Sequence, residues 1–314
     1  MNFSIIGFGH IGKIHKAAIE QTANARLISV VEHLALQEND VLHYASLDDF
    51  LQKDSETEIV CIATPNGLHA QQAIQCLNAG KHVIVEKPLA LNTKDAEEML
   101  RVAQVNNRRV FSFLQLRFSP AVNFVKRLID NHHLGKIYLL NIQCYWNRNE
   151  AYYKSREWHG SRAMDGGVLF TQFSHFIDAI NYWFGEAKCI SSRTFNFNHS
   201  FTEFSDSGIV DFSANNVAGS FTFTTSTFNK NFESGIIIIA EKGTIKIGDQ
   251  YLNQIKYADL AENISLENIS TEQKNFHSEA IADVIDSLQN HAASVLDGSN
   301  ALPLIRFIES VEQS

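Results

Sequence analysis

From Met1 to about Phe118 short apolar runs alternate with amphipathic stretches, the pattern left by βαβ units around a parallel sheet. The pattern predicts strands at Phe3–Ile6, Leu27–Val31, Ile59–Ala63, His82–Val85 and Val110–Phe113. Helices are expected over Ile11–Gln21, His69–Ala79 and Thr93–Asn106, with Gly80 placed to cap the second of these. A doubly wound domain over 1–118 is the economical account. After Pro120 the texture changes to one helix through Leu128 and then period-two stretches at Ile137–Tyr145, Gly208–Ser213 and Gly219–Thr225. In the last of these Phe221 and Phe223 alternate with Ser220, Thr222 and Thr224, so one face is apolar and the other polar. A helix over Phe276–Leu296, with more helix beyond it, closes the chain. The expected fold class is therefore α/β. A doubly wound domain is followed, over 119–314, by an α+β domain with a large, open, mainly antiparallel sheet, whose last helices can pack back on the first domain.

The length of 314 residues fits two such domains, and 45% hydrophobic with 19% charged residues excludes a disordered or fibrous chain. A net charge of −9 argues against nucleic acid as a partner, since phosphates call for a basic surface. Cys61, Cys76, Cys144 and Cys189 are scattered, with no C-x-x-C pair, as suits packed thiols in a reducing compartment rather than disulfides or a zinc site. Met1 leads directly into an apolar strand with no leader segment, so a cytoplasmic location is expected. The longest purely apolar run, Ile236–Ala240, falls far short of the roughly 20 residues that span a bilayer. It reads as a buried strand, and no membrane partner is expected.

Gly7-Phe8-Gly9-His10-Ile11-Gly12 is a G-x-G-x-x-G placed between the first strand and the first helix. Gly7 permits a tight turn, Gly9 lets the backbone approach a pyrophosphate and Gly12 allows close helix packing, while the helix N-terminus offers free N–H donors. This marks a Rossmann dinucleotide site. Glu32, at the end of the second strand, is placed to accept hydrogen bonds from ribose hydroxyls and to repel a 2′-phosphate, which favours NAD over NADP. Thr64-Pro65-Asn66 and Glu86-Lys87-Pro88 each follow a strand at the ligand-binding edge of such a sheet. Each also makes an ordinary turn. A lysine beside a cofactor that is cationic when oxidised can hold or polarise a substrate oxygen.

Gly7-x-Gly9-x-x-Gly12, Thr64-Pro65-Asn66-x-x-His69 and Glu86-Lys87-Pro88-Leu89, in this order, resemble the glucose-fructose oxidoreductase/inositol dehydrogenase (Gfo/Idh/MocA) family. Arg117-Phe118-Ser119-Pro120, Leu134-Gly135-Lys136-Ile137, Asp165-Gly166-Gly167-Val168-Leu169 and His175-Phe176-Ile177-Asp178 continue the likeness over nearly the whole chain. The resemblance implies a nucleotide-binding domain, then an α+β domain whose open sheet joins subunits, as a homodimer or homotetramer. It also implies sugar, polyol or nucleotide-sugar substrates, Lys87 as the active-site lysine and His175 as the acid/base. Thr171 stands where members often carry Asp. The cofactor-binding set is then Gly7, Phe8, Gly9, His10, Ile11, Gly12, Glu32, Thr64, Pro65, Asn66, His69, Glu86 and Lys87. Candidates for binding substrate are Arg117, Trp158, Arg162, Thr171 and Gln172.

Read without the resemblance, Thr171, His175, Asp178 and Tyr182 recur at helical spacing opposite Phe170, Phe173, Ile177 and Ile180, which predicts one helix with a polar stripe. His175-x-x-Asp178 also has the spacing of two metal ligands, but no third is placed with them, and no metal is expected. The stretch Trp146 to Arg162 is dense in aromatics and cations. Its Arg148, Lys154, Arg156 and Arg162, in an acidic chain, point to an anionic sugar such as a uronate or nucleotide-linked amino sugar. The expected function is NAD-dependent hydride transfer at a hydroxyl-bearing carbon. An NAD-dependent glycoside hydrolase and a non-catalytic NAD-sensing protein are the alternatives.

Overall fold

In the computed structural model, which describes residues 1–34, 41–261 and 276–313, the short apolar runs of the first third become parallel strands. Along the chain come β1 (Asn2–Ile6), α1 (His10–Gln21), β2 (Arg26–Val31), β3 (Leu42–Tyr44), α2 (Leu47–Lys53), β4 (Ile59–Ile62), α3 (His69–Asn78), β5 (His82–Val85), α4 (Thr93–Val105) and β6 (Val110–Ser112). The strands pair in the order β3-β2-β1-β4-β5-β6, every pair parallel. Ile5, Ile59, Val60, Ile62, Val83, Ile84 and Val85 are fully enclosed, which is why these runs show no polar alternation. The order reverses between β1 and β4, and there a sheet of this kind opens a crevice at its carboxyl edge. The apolar pattern does not show β3, whose three residues carry no period, or α2, whose seven residues make barely two turns. The readable sign was Ser46, whose hydroxyl accepts the Asp49 N–H at 3.2 Å and caps α2.

This unit comprises Met1–Gln115 together with Phe276–Leu302. The helix His277–Gln289 packs against α1, and the Ser112 N–H donates to the Leu296 carbonyl at 2.8 Å. Arg109 fastens the same segment, donating to Ser287 Oγ at 2.6 Å, the Ala292 carbonyl at 3.0 Å and the Asp297 carboxylate at 2.6 Å. The helix expected to reach Leu296 stops at Gln289, and His291 then takes a left-handed φ of 52° that a helix cannot continue through.

The second unit comprises Leu116–Asn275 and Pro303–Ser314. It holds α5 (Pro120–Asp130), β7 (Ile137–Tyr145), α6 (Glu150–Lys154), α7 (Val168–Thr171), α8 (Ser174–Phe184), β8 (Ala187–Phe195), β9 (Ser207–Ala214), β10 (Val217–Thr224), β11 (Glu233–Ala240), β12 (Gly243–Gly248) and β13 (Gln254–Leu260). The helix His277–Gln289 is α9, and α10 (Leu302–Gln313) ends the chain. Seven strands pair as β13-β12-β11-β7-β10-β9-β8, with β7 and β10 parallel and the other pairs antiparallel. Ile142, Cys144, Phe221, Phe223, Ile236, Ile238, Ile245 and Ile247 fill one face. The other carries exposed Leu139, Ile209 and Tyr257 with the half-buried Ile237 and Ile239.

The single helix expected across Thr171 to Tyr182 is two. It breaks at Gln172 and Phe173, where Phe173 is driven fully into the core against Trp146, Phe221 and Phe223. Burying a phenylalanine is worth about 2–3 kcal/mol, more than the hydrogen bond or so lost at the break. Among the described residues no helix is long and apolar enough to cross a membrane, and all four cysteines are free thiols.

Candidate active site

The glycine-rich turn sits at the switch point of the parallel sheet. Gly7 has φ 86°, and a Cβ there would lie 2.7 Å from the Ala63 carbonyl oxygen. A Cβ on Gly12 would lie 2.2 Å from the Gly7 oxygen, so only glycine lets α1 start directly against the turn. The helical ladder begins with Lys13 N–H to the Gly9 carbonyl at 3.1 Å, which leaves the N–H groups of His10, Ile11 and Gly12 outside it. Gly9, His10 and Ile11 are exposed, so those donors can meet an anion. Beside them the Glu32 carboxylate accepts the Phe8 N–H at 2.8 Å and the His33 N–H at 2.9 Å, clamping the end of β2 to the turn. Phe8 itself is buried, so it contributes its backbone rather than its ring. This cradle fits the pyrophosphate and adenosine ribose of NAD.

Two more loops leave the same edge. Thr64 and Pro65 are half-buried, Asn66 is buried, and the Thr64 hydroxyl donates to Gln72 at 2.6 Å. His69 is 0% exposed, and its ring nitrogens lie 2.7 Å from the Pro88 carbonyl and 2.9 Å from that of Thr64. Burial lowers its pKa against the pull of both carbonyls, and the enclosed ring sits between the β4 loop and the β5 loop, where in its neutral form it can donate to one of the two carbonyls.

The loop after β5 carries Glu86 and Lys87, with a cis bond between Lys87 and Pro88. The Lys87 N–H donates to Glu86 Oε2 at 3.1 Å, and Glu86 Oε1 lies 2.8 Å from His15 Nε2 and 3.9 Å from His277 Nε2. Burial alone would raise the Glu86 pKa. The His15 hydrogen bond and the fields of His15, His277 and Lys87 outweigh it and hold the carboxyl well below the usual range. Phe113 packs its ring on both histidines, at 4.6 and 4.9 Å. The ligand atoms of His15, Glu86 and His277 lie within 4.8 Å of one another, a set able to hold a divalent cation that the sequence did not suggest. His15 was legible as the residue one turn past Gly12; His277, 191 positions from Glu86, gave no sign.

In the second unit His175 occupies the first turn of α8, half-buried between the buried Ser174 and Phe176. The Thr171 hydroxyl donates to the Asp165 carboxylate, whose other oxygen accepts the Gly160 N–H at 3.0 Å. A carboxylate thus reaches the Thr171 position from six residues upstream. Gln172 accepts from Arg148 Nε at 2.7 Å and donates to the Tyr152 hydroxyl at 2.8 Å. Trp158 is half-buried, edge-on to His159 at 4.2 Å. Arg162 is exposed and paired with Glu312 at 2.7 Å.

Arg117 is placed differently from the expectation for a substrate ligand. It is only 6% exposed and binds Asp178 through two bonds of 2.6 and 3.0 Å, with Tyr182 against its guanidinium. Burial pulls its pKa down, but Asp178 more than reverses that and leaves it raised. Removing one member of such a buried pair costs about 3–5 kcal/mol, which makes this an anchor between the start of α5 and α8. It also takes Asp178 away from any metal reading.

Comparison with known proteins identifies the family of the chain. Residues 1–113 match the family described as an oxidoreductase family with an NAD-binding Rossmann fold, and residues 122–246 match the GFO/IDH/MocA C-terminal domain. An uncharacterised oxidoreductase of Synechocystis sp. is 26% identical over 200 residues, covering 62% of this chain and 54% of that protein. Glucose-6-phosphate 3-dehydrogenase of Bacillus subtilis is 30% identical over 186 residues, covering 57% of this chain and 53% of that protein. The aligned part of the chain thus spans little more than half the length of these curated relatives. Among solved structures, the WlbA dehydrogenase of Bordetella pertussis, in complex with NADH and UDP-GlcNAcA, superposes with a TM-score of 0.93 at 27% identity, over 100% of this chain and 96% of that one. With both of its units matched, the chain belongs to the Gfo/Idh/MocA oxidoreductase family, and its first unit is that family's NAD-binding Rossmann domain.

Proposed function

We propose that the protein is an NAD-dependent dehydrogenase acting on a hydroxyl-bearing carbon of a sugar or nucleotide sugar. The observation that carries this reading is the fixing of the Lys87 loop at the same sheet edge as the glycine turn, by hydrogen bonds to Glu86 and His69. When bound, NAD supplies the hydride acceptor. Lys87 binds the substrate oxygen through its ammonium group. The His175 imidazole takes the hydroxyl proton as the carbon is oxidised and returns it in the reverse direction. Thr171 and Gln172, just ahead of His175, and Trp158 contribute to the sugar side. Glu32 favours NAD, since a 2′-phosphate there would meet a carboxylate. The UDP-GlcNAcA held by the Bordetella relative supports a nucleotide sugar as the class to try first.

The test is NADH absorbance on mixing the protein with NAD and a panel of neutral sugars, uronates and nucleotide sugars. NADH is expected with at least one nucleotide sugar, with kcat/KM for NAD at least about tenfold above that for NADP. No NADH from any member would end the dehydrogenase reading, and an NADP preference would end the role given to Glu32. Free sugar released from an aryl glycoside without NADH would select the hydrolase instead.

The exposed Leu139, Ile209 and Tyr257 on the outer face of the seven-stranded sheet support pairing with a second copy through that face. Light scattering is expected to give the mass of two or four chains; the mass of one chain would overturn it. The free thiols support a reducing, cytoplasmic setting.

A further inference from the structure

Of the four cations clustered between Trp146 and Arg162, three are in ordinary surface situations. Lys154 pairs with Glu150 at 2.7 Å, Arg162 with Glu312 at 2.7 Å, and Arg156 lies exposed. Arg148 differs. It is half-buried, with its guanidinium 4.9 Å from the Trp146 ring and 5.2 Å from that of Tyr152. Nε donates to the Gln172 amide oxygen at 2.7 Å, and one terminal nitrogen donates to the Asn147 carbonyl at 2.7 Å and to Asn231 Oδ1 at 3.2 Å. Every one of these acceptors is uncharged, and no carboxylate pairs with Arg148 among the described residues. Burial pulls its pKa down against the opposing pull of Tyr152, Tyr153 and Tyr251, yet a guanidinium stays protonated.

We propose that Arg148 reads an anionic group of the substrate, a carboxylate or a phosphate, and so sets the specificity of the site for charged sugars. The inference rests on the dehydrogenase reading only for the identity of that site. A guanidinium held for structure is given a carboxylate by the fold, as Arg117 is given Asp178 within the same unit. Arg148 is instead held in plane by two aromatic rings and three neutral oxygens, an arrangement that fixes the fork and leaves its charge to be balanced from outside. Its anchor, Gln172, lies in the break between α7 and α8, three residues ahead of His175 in the chain. A group bound at Arg148 is therefore tied to the segment that carries the proposed acid/base.

The test is calorimetric binding to the full chain in the presence of NADH, with three probes: UDP-GlcNAcA, which bears both anions; UDP-GlcNAc, which bears only the phosphates; and glucuronate, which bears only the carboxylate. Arg148→Met is expected to weaken binding about 100-fold for each probe carrying the anion that is read, and by no more than about threefold for a probe lacking it. Arg148→Lys, which keeps the charge and loses the fork, is expected to recover about tenfold of that loss. Equal losses for the two nucleotide sugars assign the phosphates. A loss confined to UDP-GlcNAcA and glucuronate assigns the carboxylate. Unchanged binding of all probes by Arg148→Met, or no binding of any probe by the unaltered protein, overturns the inference. If Arg148→Met fails to fold, seen as lost NADH binding, Arg148→Gln carries the same comparison with a hydrogen-bonding side chain. UDP-GlcNAcA that binds through Arg148 but yields no NADH would support this assignment while sinking the dehydrogenase reading.

Discussion

Lys87→Met is expected to lower kcat by about 10³-fold or more while NADH binds within about threefold of the unaltered protein. The separation follows from how the loop is held. Glu86 binds the backbone N–H of Lys87, His15 binds Glu86, and His69 binds the carbonyl of Pro88, so none of these anchors uses the lysine amine. Methionine keeps the unbranched stem and removes only the charge and its donors. The loss should therefore fall on kcat, because the oxygen that Lys87 holds gains negative character as it changes between hydroxyl and carbonyl. Stopped-flow turnover with the best substrate from the NADH panel, beside fluorescence titration of NADH, reads both quantities. Turnover near that of the unaltered protein would remove Lys87 from the chemistry.

His175→Ala is expected to cost about 10²–10⁴-fold in kcat, the usual worth of a positioned general acid/base. The fold should tolerate it. Phe176 and Ile177 carry the buried side of α8, and Trp183 fixes its far end by donating to the Val122 carbonyl at 3.0 Å. A positional role alone would lower the rate at every pH. A base must be deprotonated to work, so the acid limb of the pH–rate profile should disappear in the variant, and added imidazole should restore part of the rate. A variant that keeps the limb and ignores imidazole would assign the proton to another group.

What the sequence disclosed and what it hid divide along the reach of the interactions involved. The glycine turn was legible because each glycine answers a contact within a few residues or across one strand pair, such as Gly12 against the Gly7 oxygen. The alternation at Phe221 and Phe223 was legible because a sheet face repeats every two residues. The break at Phe173 was not. Its cause is a pocket formed by Trp146, Phe221 and Phe223, which no helical period records. Arg117 was expected at the substrate through the family resemblance, but its partner Asp178 stands 61 positions away. His277 reaches Glu86 from further still, so the support of the Lys87 loop was invisible locally.

That distant support bears on how the protein is made. The nucleotide-binding unit needs Phe276–Leu302, yet the ribosome must first produce residues 116–275, which takes roughly ten to thirty seconds at 5–20 residues per second. During that interval Arg109 lacks Ser287 and Asp297, and Phe113 and His15 lack the ring of His277. The half that emerges first is thus finished late, and its aromatic surface at Phe113 and His15 stays unsealed until Phe276–Leu302 arrives.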